Sequence, residues 1–141
     1  MGDPGASYWA VERSYWAARG DVNMLMVHYA DLKADLDGEI RRIAAFLEID
    51  TPAATLAQIV AAASFDTMRE QGAQLMPNAA RSWDGGAERF LFKGVNGRWK
   101  ALLTAEDLAA YDARVKAEFS PALAAWLEQG RRGAGDPHRS A

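Results

Sequence analysis

The run Met24-Leu25-Met26-Val27-His28-Tyr29 is short and nearly continuous in apolar residues, the pattern of a strand buried on both faces. It constrains the fold more than any other feature, because the rest of the chain is patterned as helix and one strand cannot make a sheet. Its N–H and C=O groups, left unpaired in an apolar setting, would cost about 1–3 kcal/mol each. The strand therefore needs neighbours, supplied by another chain or by residues upstream of the sequence.

Around it the apolar spacing is helical. Tyr8, Val11, Tyr15 and Trp16 form one stripe of a helix that Gly20-Asp21 stops. Leu36, Ile40, Ile43, Ala44 and Leu47 form a second, with Asp35 or Asp37 able to cap its start and Arg41 and Arg42 facing water. Thr51-Pro52 opens a third, burying Leu56, Ile59, Val60 and Ala63, and a short helix begins at Ser64. Residues 72–90 are polar and broken by Met76-Pro77-Asn78 and Asp84-Gly85-Gly86, so a loop is expected there. Thr104 and Asp107 have the spacing of a capping box ahead of Leu108, Tyr111, Val115 and Phe119. Ser120-Pro121 starts a last helix carrying Leu123, Trp126 and Leu127, and Gly130 ends it. The fold class expected is mostly α with one or two short strands.

A chain of 141 residues, half of them hydrophobic, can bury a core and fits one domain. Its organisation reads as a flexible N-terminus over 1–7, a folded region over 8–130, and a polar, glycine-rich tail over 131–141 expected to be disordered. Sixteen basic against nineteen acidic residues leave no footprint for nucleic acid. The absence of cysteine excludes disulfides, thiolate metal sites and cysteine nucleophiles, and fits a cytoplasmic location. No run approaches a membrane span or a signal peptide.

Phosphate-loop, H-E-x-x-H, G-x-S-x-G and G-x-G-x-x-G signatures are absent, so no catalytic or metal-ligating residue is assigned. His28 reads as a satisfied core histidine and His138 as a bystander. One segment stands apart: Phe92-Lys93-Gly94-Val95-Asn96-Gly97-Arg98-Trp99-Lys100 has two glycines three apart, bracketed by cations. Such a stretch lets backbone N–H groups approach an anion, with Lys93, Arg98 and Lys100 to neutralise it. The same spacing also describes an ordinary basic turn.

Four stretches in order resemble the C-terminal half of the sulfotransferase family, which takes a sulfuryl group from 3'-phosphoadenosine 5'-phosphosulfate (PAPS). Residues 24–35 resemble its apolar strand followed by Tyr-Glu-Asp-Leu-Lys-x-Asp, and Glu39 to Leu47 the helix after it. Ser64-Phe65-Asp66-Thr67-Met68-Arg69 resembles Ser-Phe-x-x-Met-Lys, and Phe90 to Trp99 resembles Phe-x-Arg-Lys-Gly-x-x-Gly-x-Trp, with Thr104 to Asp107 the helix start that follows. The resemblance covers roughly 8–130 and implies the C-terminal part of an α/β, P-loop-like sulfotransferase fold. It assigns Tyr29 and Phe65 to the adenine, Ser64 and Met68 to its border, and Lys93 with the backbone of Gly94 to the 3'-phosphate.

Departures from the family pattern limit what the resemblance implies. Phe92 stands where arginine is expected, Ala30 stands where glutamate often follows the tyrosine, and Lys100, Thr104 and Ala105 only partly match a dimer pattern of some members. The family's phosphosulfate loop, catalytic base and 3'-phosphate arginine and serine have no counterpart in the sequence. The expectation is a partial PAPS or adenosine 3',5'-bisphosphate site in a chain inactive alone, whole members of the class sulfating an alcohol or amine. The alternative is a non-catalytic helical protein that self-associates or binds a partner. Both readings imply a homo-oligomer or a complementing chain, without nucleic acid or membrane.

Overall fold

The structure, a computed structural model, describes residues 7–92 and 94–139. In chain order the α-helices are α1 (Tyr8–Ala17), α2 (Tyr29–Ala34), α3 (Leu36–Phe46), α4 (Ala53–Ala62), α5 (Phe65–Glu70), α6 (Gly72–Leu75), α7 (Ala79–Ser82), α8 (Gly86–Phe90), α9 (Ala105–Glu118) and α10 (Pro121–Ala134). Short 3-10 turns occupy Ala18–Gly20, Arg98–Ala101 and Pro137–Arg139. The described residues form two compact units, 7–34 with 99–139 and, separately, 35–98. None of the described helices is long and apolar enough to cross a membrane.

The first unit is built on α1, α9 and α10. Trp16, Met26, Val115, Phe119, Leu123 and Trp126 form its buried cluster, with Trp9, Met24 and Leu127 packed against it. Each large apolar side chain buried there contributes about 1.5–3 kcal/mol. The Trp9 and Phe119 rings lie 4.9 Å apart and those of Trp16 and Trp126 6.2 Å apart. Only part of the expected α1 stripe is buried, because Tyr8 and Tyr15 remain exposed. The α9 capping box forms as its spacing predicts: Thr104 accepts from the Asp107 N–H at 3.2 Å, and Asp107 accepts from the Thr104 N–H at 2.9 Å.

The expected strand does not form. No strand occurs among the described residues; residues 24–28 are non-helical, and Tyr29 opens α2. A strand exists through a partner's hydrogen bonds, and none of the described residues offers them. The side chains still alternate. Met24 and Met26 pack on the core and His28 lies edge-on to Trp126 at 5.4 Å, while Leu25 and Val27 are the intervening residues.

The C-terminal segment also departs from expectation. Gly130 does break α10, with φ 67°, but the helix restarts at Arg131 instead of fraying. Asp31, 1% exposed, accepts from the Arg131 N–H at 2.7 Å and the Arg132 N–H at 3.1 Å. A carboxylate placed on free helical N–H groups in this way acts as a cap from outside the helix. Pro137 is fully buried, and its carbonyl accepts from Arg19 Nε at 3.1 Å. Residues 131–139 are therefore part of the first unit; apart from Ser7, the expected flexible N-terminus lies outside the described residues.

The second unit is a run of helices packed largely on their sequence neighbours, α3 on α4, α4 on α5 and α5 on α6. Asp35 caps α3, accepting from the Gly38 N–H at 2.9 Å, while Asp37 is held by Arg41. Arg42 does not simply face water: its Nη2 donates to the buried Glu39 carboxylate at 2.8 Å. Leu56 supplies the buried face of α4, but Ile59 stays exposed. The expected 72–90 loop contains α6, α7 and α8. Met76-Pro77-Asn78 and Trp83-Asp84-Gly85 are the breaks between these helices, each only one turn long and so too short to carry periodicity.

Candidate functional site

The residues singled out by the sequence fall in both units. Tyr29 belongs to the first, where it begins α2 and is 56% exposed. Ser64, Phe65, Met68 and Gly94 belong to the second. Lys93 lies outside the described residues.

Within the second unit, the structure brings two of these residues together across 28 intervening positions. Gly94 has φ 56°, and a Cβ built on it would stand 2.7 Å from Phe65 Cδ2 and Cε2. The backbone therefore rests directly on the phenyl ring, an approach only glycine permits. Gly97 also has positive φ, at 76°. Both glycines of the Gly-x-x-Gly stretch are thus required by conformation, which spacing alone did not establish. The N–H groups of Gly94, Val95, Asn96 and Gly97 make no backbone hydrogen bond with any other described residue, leaving a short row of donors for an acceptor from outside.

Phe65 is presented by the start of α5. Ser64 caps this helix, accepting from the Thr67 N–H at 3.3 Å and donating its hydroxyl to Thr67 Oγ1 at 2.9 Å. Phe65, Ser64 and Met68 are all half-buried, so each retains accessible surface. The sequence reading missed Thr67, although the Ser-x-x-Thr spacing at a helix start was the available signal.

Two further residues define the electrostatics. Phe92 is 44% exposed, and the Arg98 guanidinium lies over its ring at 5.3 Å. The aromatic that replaces the motif's arginine thus steers a different arginine of the same segment. Lys100, named as a third cation, belongs to the first unit and stacks on Trp99 at 5.7 Å. His28 is satisfied as expected: its Nδ1 accepts from the Ala30 N–H at 3.1 Å, so Nε2 carries the proton donated to the Leu127 carbonyl at 3.0 Å.

Residues 3–125 match the sulfotransferase domain family. A glycolipid sulfotransferase of Mycobacterium bovis (strain BCG / Pasteur 1173P2) is 33% identical over 118 residues, which cover 84% of this chain and 36% of that protein. Sulfotransferase 1 family member D1 of Mus musculus is 32% identical over 93 residues, 65% of this chain and 32% of that protein. An amine sulfotransferase of Oryctolagus cuniculus is 32% identical over 105 residues, 71% of this chain and 34% of that protein. The chain covers 36% or less of each of these three relatives. No solved structure matches it significantly.

Proposed function

The chain belongs to the sulfotransferase family, and from that premise we propose that it carries the 3'-phosphoadenosine end of a PAPS site. The observation that carries this reading is the contact of Gly94 with Phe65. It joins the Lys-Gly-x-x-Gly stretch to the Ser-Phe-x-x-Met stretch within one compact unit.

The residues present fit such a group. A half-exposed phenyl ring offers a stacking face for a purine, and Ser64 and Met68 flank it in sequence. Positive φ at Gly94 and Gly97 turns a backbone whose N–H groups no described residue's backbone engages into a cradle that suits phosphate oxygens. In this reading Phe65 stacks on the adenine, Ser64 and Met68 border it, and Lys93 with the Gly94 N–H holds the 3'-phosphate. Arg98 adds positive charge to the same segment. Tyr29 is assigned to the adenine by the resemblance and is tested separately, because it belongs to the other unit.

When bound, PAPS supplies the sulfuryl group; the residues of this chain bind and orient the nucleotide. None of them is assigned as base or nucleophile, and turnover by the chain alone is not expected. The acceptor of the whole activity is proposed to be a hydroxyl or amine compound, as the names of the glycolipid and amine sulfotransferases suggest.

Calorimetry with adenosine 3',5'-bisphosphate tests the reading. Binding should be weakened at least tenfold by Phe65→Ala, about 1.4 kcal/mol, and by Lys93→Ala. Adenosine without phosphate should lose the Lys93 dependence and keep that on Phe65. Absence of heat at millimolar nucleotide, from a chain shown to be folded by circular dichroism, would sink the proposal.

A further inference from the structure

Arginines of the second unit are held in different ways. Arg41 and Arg42 donate to carboxylates, to Asp37 at 2.6 Å and to Glu39 at 2.8 Å, and so are paired charge to charge. Arg98 is held by a ring, its guanidinium 5.3 Å from the centre of Phe92. A ring face attracts a cation without cancelling its charge and offers no oxygen to its N–H donors, so the fork keeps its capacity to grip an oxyanion. An ion pair fixes an arginine as structure; the Phe92 ring orients one and leaves it charged.

The same contact decides where that charge sits. Phe92 and Arg98 flank the Gly-x-x-Gly stretch, so the ring folds the guanidinium back along the turn. Positive φ at Gly94, 56°, and at Gly97, 76°, lets the chain reverse between them. The turn is thereby anchored twice within one compact unit, Gly94 on the Phe65 ring and Arg98 on the Phe92 ring. A free arginine loses rotamer freedom when it takes hold of a ligand. One already laid on a ring has surrendered part of that freedom beforehand and so binds with less entropic cost.

We propose that Arg98, oriented by Phe92, makes this site selective for a nucleotide with a phosphate monoester at its 3' position, and that Phe92 is a positioning residue acting through Arg98. The inference rests on the nucleotide reading above and deepens it by assigning the selectivity to a side-chain pair. The planar fork matches two oxygens of a terminal phosphate, which also carries the charge to complement it. The hydroxyl of an unphosphorylated ribose offers neither. An ammonium such as that of Lys93 acts as a point charge, whereas a held guanidinium fixes the direction from which the phosphate is met.

Calorimetry on the full chain tests the pair, with adenosine 3',5'-bisphosphate and adenosine 5'-phosphate as the two probes. Arg98→Gln should weaken the bisphosphate by about ten- to a hundredfold, the worth of hydrogen bonds to a charged group, and leave the 5'-phosphate unchanged. Phe92→Leu should weaken the bisphosphate about two- to fivefold, the worth of a cation on an exposed ring, while Phe92→Trp keeps the parent's affinity. In the Arg98→Gln background, Phe92→Leu should cost nothing further, because the ring acts only through the guanidinium. Both side chains are exposed, Phe92 by 44%, so neither substitution opens the core. A ring that merely supports the fold would cost the same in both backgrounds and on both nucleotides, and that result overturns the proposal. An Arg98→Gln chain that keeps the parent's preference for the bisphosphate overturns it as well, and leaves the nucleotide reading standing. A parent chain that binds neither probe removes that reading and this inference with it.

Discussion

Replacing Gly130 with alanine should destabilise the first unit more than any other single methyl addition at a glycine in it. At φ 67° and ψ −173°, Gly130 occupies a backbone region that residues with a Cβ avoid, at a cost of about 1–3 kcal/mol. The added methyl would also stand 2.6 Å from Asp31 Oδ2 and 2.8 Å from His28 Nδ1. Neither can step aside cheaply: Asp31 is fixed by the Arg131 and Arg132 N–H groups, and His28 by Ala30 and Leu127. Overpacking of this kind costs about 1–3 kcal/mol more, for a sum of about 2–6 kcal/mol against a typical domain stability of about 5–15. Gly135 separates the two contributions. It has φ 93° and ψ 176° with nothing within 4 Å of an added Cβ, so Gly135→Ala carries the backbone cost alone. Urea unfolding of the two variants and the parent, followed by far-ultraviolet circular dichroism, gives the comparison. Gly130→Ala costing no more than Gly135→Ala would refute the packing argument.

Further expectations concern other parts of the chain. Asp31→Ala leaves two part-buried backbone donors without their acceptor and should cost about 1–3 kcal/mol in all, with amide exchange at Arg131 and Arg132 as the local readout. Gly94→Ala drives a methyl into the Phe65 ring, so nucleotide affinity should fall by at least the factor seen for Phe65→Ala while adenosine-free stability changes less. Thr104→Ala removes the α9 cap and should cost about 1 kcal/mol in the same urea assay. The Thr104 hydroxyl, and after it the Thr104 N–H, hold the Asp107 carboxyl below the usual carboxylate range. A depressed folded value means that this contribution is complete above the unfolded pKa and is lost as pH falls through the folded one. The gap between parent and Asp107→Asn should therefore narrow in acid, and a gap that widens there would contradict the assignment.

Helix starts were legible because a cap is a local event. Ser64, Thr104 and Ser120 each accept from an N–H three residues on, so the few residues that decide the cap are adjacent in the chain. The buried faces of α9 and α10 were legible at Val115, Phe119, Leu123 and Trp126, whereas Tyr111 and Ile59 fit the same periodicity and stay exposed. Periodicity identifies a face; what covers that face is not local. For the candidate site, the sequence supplied the residue types and glycine spacing. It did not reveal that Gly94 meets Phe65, or that Arg98 lies on Phe92.

The Met24–Tyr29 run shows most clearly where the sequence stopped. Its apolar character determined that the segment would be held against a core, and its alternation appears in the packing of Met24, Met26 and His28. Whether it became a strand depended on hydrogen-bonding partners, which a strand must take from elsewhere, and none exists among the described residues. The polar tail failed in the opposite direction. Nothing within residues 131–139 predicts order, because the group that orders them is the Asp31 carboxylate, 100 positions away. Helical turns and their caps are decided within a few residues, and these the sequence determined; the pairing of an edge and the anchoring of a tail are contacts between distant residues, and only the tertiary structure decided them.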